Sequence, residues 1–376
     1  MVRNSLFFSF LMTLVFWSVC TGCRTADTGE VFRHITAAAE KDKFCGWPAN
    51  GGAWAWGDEI VVLFKQGAMK LNIRGHLIDS AIPEIDLQAR SFDGGETWTL
   101  EHIPQMKIDG TRPIKTLEKP IDFSHKDFAF VFFKTSTRHG KTFFFYSNDR
   151  CKSWDGPYEL PMFGEELISA RTSIFIEGKH EMLAFVSGAP TSGSEFGSRV
   201  FLIRTKDGGM SWEKVTDVGP QSDPEKWYIM PCAVRISDKE MVCALRYCDR
   251  SGETREFGIE FWGSSDNGST WEFRHRLASG SNPGTLSYFD DGRLVLFYGN
   301  RIVEPLGVHA RISRDKGKTW TEPIIVRDDA GSFDIGYTKN VFRKDGKGVL
   351  FYYYTLLDPN ADRTIEATIW NPDKLK

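Results

Sequence analysis

After its first forty residues the chain has almost no sustained helical periodicity, which argues against helical and mixed α/β architectures. It has no basic surplus either: 47 Lys and Arg stand against 50 Asp and Glu, a net charge of −3. That balance lacks the electrostatic footprint of a nucleic-acid binder. No GxSxG, HExxH, P-loop or dinucleotide-binding pattern occurs. The eight histidines are scattered and no cysteines beyond the first 23 residues form a CxxC pair, so neither a metal nor a cofactor is expected. Five cysteines remain beyond the first 23 residues: Cys45, Cys151, Cys232, Cys243 and Cys248. An odd number excludes full intrachain pairing. Cys232 and Cys243 flank a turn at residues 237–239 and could face each other; buried, inert thiols are the alternative.

Apolar material is plentiful. Of 376 residues, 41% are hydrophobic and 14% aromatic, with 35 Gly, 29 Phe and 12 Trp, which suits one large all-β core. The start differs from the rest: Arg3, an apolar run over residues 6–19, then Cys20-Thr21-Gly22-Cys23. The run is too short for a comfortable membrane span and suits a signal peptide. Thr21-Gly22-Cys23 resembles the end of a bacterial lipobox, although Cys20 stands where an aliphatic residue is usual. The expectation is an exported protein anchored through acylated Cys23. Plain secretion and a retained anchor are the other outcomes.

One pattern recurs five times: Ser/Thr-x-Asp-x-Gly-x-Ser/Thr-Trp. Its aspartates are Asp93, Asp149, Asp207, Asp266 and Asp315, spaced by 56, 58, 59 and 49 residues, with Cys151 replacing Gly in the second copy. The carboxylate can accept backbone N–H bonds across a tight turn, the Gly supplies a positive φ, and the Trp plugs an apolar layer. Strand-like segments surround each copy, such as residues 198–204 and 294–298. A unit of this length with several short strands and one hairpin reads as a propeller blade.

These motifs resemble the Asp-box (BNR) repeats of the sialidase superfamily, and the resemblance covers nearly all of the chain beyond the leader. Roughly 340 residues over that period imply a six-bladed β-propeller across residues 24–376. The sixth blade carries no motif, so strands from both termini are expected to close it, with residues 365–370 pairing near the N-terminal strand. In the family the boxes lie at the blade periphery, so chemistry belongs elsewhere.

The resemblance implies a Tyr nucleophile with a Glu base, an Asp acid/base and an Arg clamp for a substrate carboxylate. Arg suits the clamp because its planar fork binds carboxylates bidentately. Residues 233–246 and 284–301 each read as strand, turn and strand ending in Arg, which makes Arg246 and Arg301 the clamp candidates at equivalent blade positions. Tyr337, in Asp334-Ile335-Gly336-Tyr337-Thr338, occupies the expected place of the nucleophile. Asp79 falls about where the family's acid lies, with His76 beside it. Departures are plain. Cys45-Gly46-Trp47-Pro48 stands where the first clamp Arg is usual, leaving Arg74 as a substitute, and Met230-Pro231 stands where the base is usual, leaving Glu260 or Glu225. Trp47, Trp54 and Trp56 crowd the expected mouth, and Trp47 is a candidate for stacking on sugar. The expected function is exo-acting hydrolysis of a terminal, anionic sugar on a glycan. A non-catalytic glycan-binding propeller, or a polysaccharide lyase using His76 or Tyr337 for proton transfer, are the alternatives.

Overall fold

The computed structural model describes residues 30–71, 75–106, 108, 112–134, 140–191, 197–278, 283–356, 358 and 360–376. The leader, Cys23 and Arg74 lie outside the described residues. One compact unit runs from Val31 to Lys376. It is built from six antiparallel sheets that follow one another along the chain, the blades of a six-bladed β-propeller. Blades 1 to 5 take residues 43–102, 129–159, 167–218, 226–278 and 285–327. Blade 6 takes residues 336–370 and borrows Phe32–Ala38 as its outermost strand.

That borrowed strand closes the ring. Phe32 lies opposite Trp370 and Ile35 opposite Ala367, in the sheet where closure from both termini is expected. Without it, Thr364–Trp370 would present a bare edge for pairing with another chain.

The second strand of a blade is sandwiched between neighbouring blades, so it reads as a continuous apolar run rather than an alternating one. Met182–Ala189, Leu294–Asn300 and Gly348–Tyr354 are buried at every residue. This is the physical content of the high Phe and Tyr count.

The five repeat turns share one hydrogen-bond pattern. In the third, the Asp207 carboxylate accepts the Ser211 N–H at 2.9 Å, the Ser211 hydroxyl at 2.6 Å and the Thr205 hydroxyl at 2.9 Å. Thr205 Oγ1 in turn accepts the Gly209 N–H at 2.8 Å. Two successive residues of each turn are left-handed, Gly208 and Gly209 in this copy. A Cβ on Gly208 would come within 2.5 Å of the Ile121 backbone nitrogen, so only Gly fits. The second turn holds Arg150 and Cys151 at φ 60 and 63 instead, with the Cys151 side chain fully buried.

Burial opposes ionisation of Asp207, but the bonds from Ser211 and Thr205 prevail and hold its carboxyl below the usual range. Asp207→Ala should therefore cost about 1–3 kcal/mol in chemical denaturation at neutral pH. A depressed folded-state pKa contributes stability above the unfolded value of about 4, lost as pH falls through the folded value. The gap between Asp207→Ala and the parent protein should accordingly narrow below about pH 4.

The described cysteines are all free thiols. Register explains why Cys232 and Cys243 do not pair: Cys232 lies opposite Ala244, and Cys243 opposite Ala233.

Candidate functional site

In blades 1, 4 and 5, which carry a repeat turn, the second strand starts beside it and runs toward the opposite face of the propeller. Ile60 pairs with Ser91, Met241 with Ser264 and Leu294 with Ser313. Five residues onward stand Lys65, Arg246 and Gly299; in blade 6, where Gly348 pairs with Trp370, the same count reaches Tyr353. Arg246 and Arg301 are therefore not equivalent, as the sequence reading had them. Arg301 lies two residues past the matching position and just beyond its strand, which restores the same facing because side chains alternate with period two.

The innermost strands break at this same level. Gly46 pairs with Lys65, Ile229 with Arg246 and Gly336 with Tyr353, after which the register slips or the strand stops. The next residue in each case is bulky and left-handed: Trp47 at φ 61, Met230 at φ 56 and Tyr337 at φ 56. Such conformations cost about 1–3 kcal/mol each and persist only where packing over-determines them. At Tyr337 the cause is visible. Gly299 and Gly336 bring blades 5 and 6 so close that a Cβ on Gly299 would lie 3.0 Å from Gly336 Cα.

Around Tyr337 the side chains converge. Arg246 donates to Tyr337 Oη at 3.3 Å and to Met230 Sδ at 3.8 Å, and its guanidinium lies 5.1 Å from the Trp227 ring. Arg301 donates to the Ile335 carbonyl at 2.7 Å and to Tyr353 Oη, and covers the Tyr337 ring at 5.3 Å. His76 stands edge-on to Tyr337 at 5.9 Å and to Trp47 at 5.0 Å. Its Nδ1 lies 2.6 Å from Asp334 Oδ1.

Asp334 is fully buried and accepts from the Leu77 N–H at 2.9 Å and the Tyr353 hydroxyl at 2.7 Å, with the Arg363 guanidinium 3.7 Å away. Burial opposes its ionisation, yet His76, Arg301 and the Leu77 amide hold it below the usual carboxylate range. Burial lowers the pKa of His76, with Arg301 and Arg246 acting the same way against Asp334. The imidazole is thus neutral at pH 7, with Nδ1 committed to the carboxylate. Among the described residues, Tyr337 Oη has Arg246 as its hydrogen-bond partner and no carboxylate. No group of three or more His, Cys, Asp or Glu among them is placed to hold a metal.

Three of the sequence candidates sit elsewhere. Asp79 caps its own turn through the Ala81 N–H at 3.1 Å and pairs with Lys70 at 3.2 Å; its loop delivers His76 instead. Glu260 lies on the third strand of blade 4, buried, accepting from Arg276 Nε at 2.9 Å and Trp262 Nε1 at 3.1 Å. Glu225 pairs with Arg250 at 2.9 Å. Trp54 packs on Trp154 between blades 1 and 2, so of the three tryptophans only Trp47 borders the cluster. Beside Trp47 a small cavity of about 40 Å³ lies between those blades, lined also by Lys65, Asp86 and Phe133.

The sequence reading passed over Asp334, Tyr353 and Trp227. Asp334 stands three residues before Tyr337 and belongs to no repeat motif. Tyr353 lies in a run of three tyrosines, where period-two alternation sets it apart: Tyr352 and Tyr354 face another core cluster.

No family model matches the chain, and no curated protein matches it in sequence. Solved structures do. A Dyadobacter fermentans protein of unknown function aligns at TM-score 0.66 and 19% identity, over 90% of this chain and 98% of that one. The Penicillium chrysogenum α-L-arabinanase, complexed with arabinobiose, aligns at 0.59 and 14%, over 89% and 98%. The NanB sialidase of Streptococcus pneumoniae aligns at 0.55 and 10%, over 92% of this chain and 71% of the sialidase. The shared element is the six-bladed propeller. At such identities the likeness establishes the fold, and the chemistry rests on the side chains.

Proposed function

We propose that this propeller is an exo-acting glycoside hydrolase that removes a terminal, anionic sugar from a glycan. The observation that carries the reading is the convergence of Arg246 and Arg301 on Tyr337 at one end of the blades. Two guanidiniums there suit a carboxylate, and the half-buried Trp47 offers an apolar face to a sugar ring. Similarity to arabinanases and sialidases supports a glycan as the ligand class. Export with an anchor at Cys23 belongs to the same proposal, supported by the leader pattern alone.

The test is release of monosaccharide from a panel of sialylated, uronate-bearing and neutral glycans, each acidic substrate paired with its methyl ester. Turnover should be confined to the free acids and fall at least about 100-fold on esterification, since that abolishes the charge-assisted pairs. Arg301→Met should raise KM for the acid by a similar factor and leave the ester unaffected. Equal turnover of acid and ester would sink the anionic assignment.

A second reading is favoured by one observation: a neutral imidazole, a phenol and paired arginines, with no carboxylate on Tyr337 among the described residues, also suit β-elimination of a uronate. A product with the ultraviolet absorbance of an unsaturated uronate would identify it.

A further inference from the structure

We infer that His76, oriented by Asp334, is the proton-transfer group of this site, standing in for the carboxylate base that the sialidase resemblance implies. The inference rests on the hydrolase reading and deepens it. Nδ1 of His76 lies 2.6 Å from a carboxylate that is fully buried and can only accept, so Nδ1 carries the proton and Nε2 is the basic nitrogen. Asp334 is itself held by the Leu77 amide, the Tyr353 hydroxyl and Arg363, so the imidazole cannot swing away without stranding a buried charge. The ring is still 30% exposed, and Tyr337, with Arg246 and Arg301 on it, stands edge-on to it.

The chemistry balances as a single displacement. A water oxygen bonds to the anomeric carbon while its proton passes to Nε2. The glycosidic C–O bond breaks, its electron pair goes to the leaving oxygen, and that oxygen takes the phenolic proton of Tyr337. Arg246, at the phenol oxygen, stabilises the charge developing there. The imidazolium then loses its proton and the phenolate regains one through solvent. His76 starts neutral, its pKa lowered by burial, and the anomeric configuration inverts.

The charged and titratable groups facing His76 are Asp334 and Tyr337 from blade 6, Tyr353 from its second strand, Arg301 from blade 5 and Arg246 from blade 4; Trp47 and Phe44 from blade 1 carry no charge. A base whose pKa lies below the ordinary 6.5 loses activity as pH falls through that lowered value. Asp334 raises the pKa of His76, so Asp334→Asn should move the acid limb still lower while reducing kcat about 100-fold or more through loss of the correct tautomer.

The experiment measures pH–rate profiles on the best substrate of the panel for the parent, His76→Gln and Asp334→Asn, with folding checked by circular dichroism. Histidine nitrogen NMR of the parent and Asp334→Asn runs alongside, without substrate. His76→Gln should lower kcat about 10²–10⁴-fold and erase the acid limb. Turnover by the parent with His76→Gln within tenfold and the limb unmoved would overturn the role of His76 and leave the hydrolase reading standing. No turnover of any glycan by the parent would remove that reading. The orientation claim is then decided by NMR, where an Nδ1 without its proton, or a titration that ignores Asp334→Asn, overturns it.

Discussion

Tyr337→Phe is expected to lower kcat about 10²–10⁴-fold, the range associated with losing one positioned proton donor, while KM stays within a few-fold. The substitution keeps the ring. Its packing against His76 and Tyr353, at centroid distances of 5.9 and 5.8 Å, survives, and so does the cation face offered to Arg301. What goes is the hydroxyl and its 3.3 Å bond from Arg246, worth about 1 kcal/mol of stability at most. A thermal melt should therefore barely move while turnover collapses. Steady-state kinetics and calorimetry on one preparation decide it: turnover near the parent's level would mean that Tyr337 is packing and the chemistry lies elsewhere.

Trp370→Ala is expected to carry the largest stability cost, about 3–5 kcal/mol. Trp370 is only 1% exposed, packs on Phe297 of blade 5 at 4.8 Å and donates Nε1–H to Asn340 at 2.9 Å. It also lies opposite Phe32 at the edge where the N-terminal strand enters. Truncation leaves a cavity between blades 5 and 6 and takes the Trp370 donor from Asn340 Oδ1, in the blade that closes the ring. Chemical denaturation reads the loss. Proteolysis near residues 32–38 should accelerate in step, because local opening starts where a strand is held by one neighbour. A change below about 1 kcal/mol would show that closure does not depend on this contact.

The blades were legible in the sequence because each repeat turn is self-contained. Asp207, Thr205 and Ser211 satisfy one another within seven residues, so their spacing carries the whole instruction. Closure was legible for a similar reason: five motifs in six units leave one blade to be shared between the termini. The site was legible only in part. Tyr337, Arg246, Arg301, His76 and Trp47 were singled out, and the fold brings them together. Asp79 and Glu260 were chosen for position and residue type, and each carboxylate is bound to a local partner, Lys70 in one case and Arg276 in the other. No motif separates a free carboxylate from one already neutralised by its neighbours.

Residue order alone settled the repeat, the number of blades, the turn chemistry and the apolar strands between them, since all of these depend on contacts spanning a few residues. Tertiary structure alone decided which charged groups meet. His76 and Asp334 are 258 residues apart and touch because ring closure sets blade 1 beside blade 6. The left-handed kink at Tyr337 likewise follows from the close approach of two glycine backbones from neighbouring blades. Hydrogen-bonded pairing needs an approach within about 3–4 Å, and distance in space is the one quantity that distance along the chain does not report.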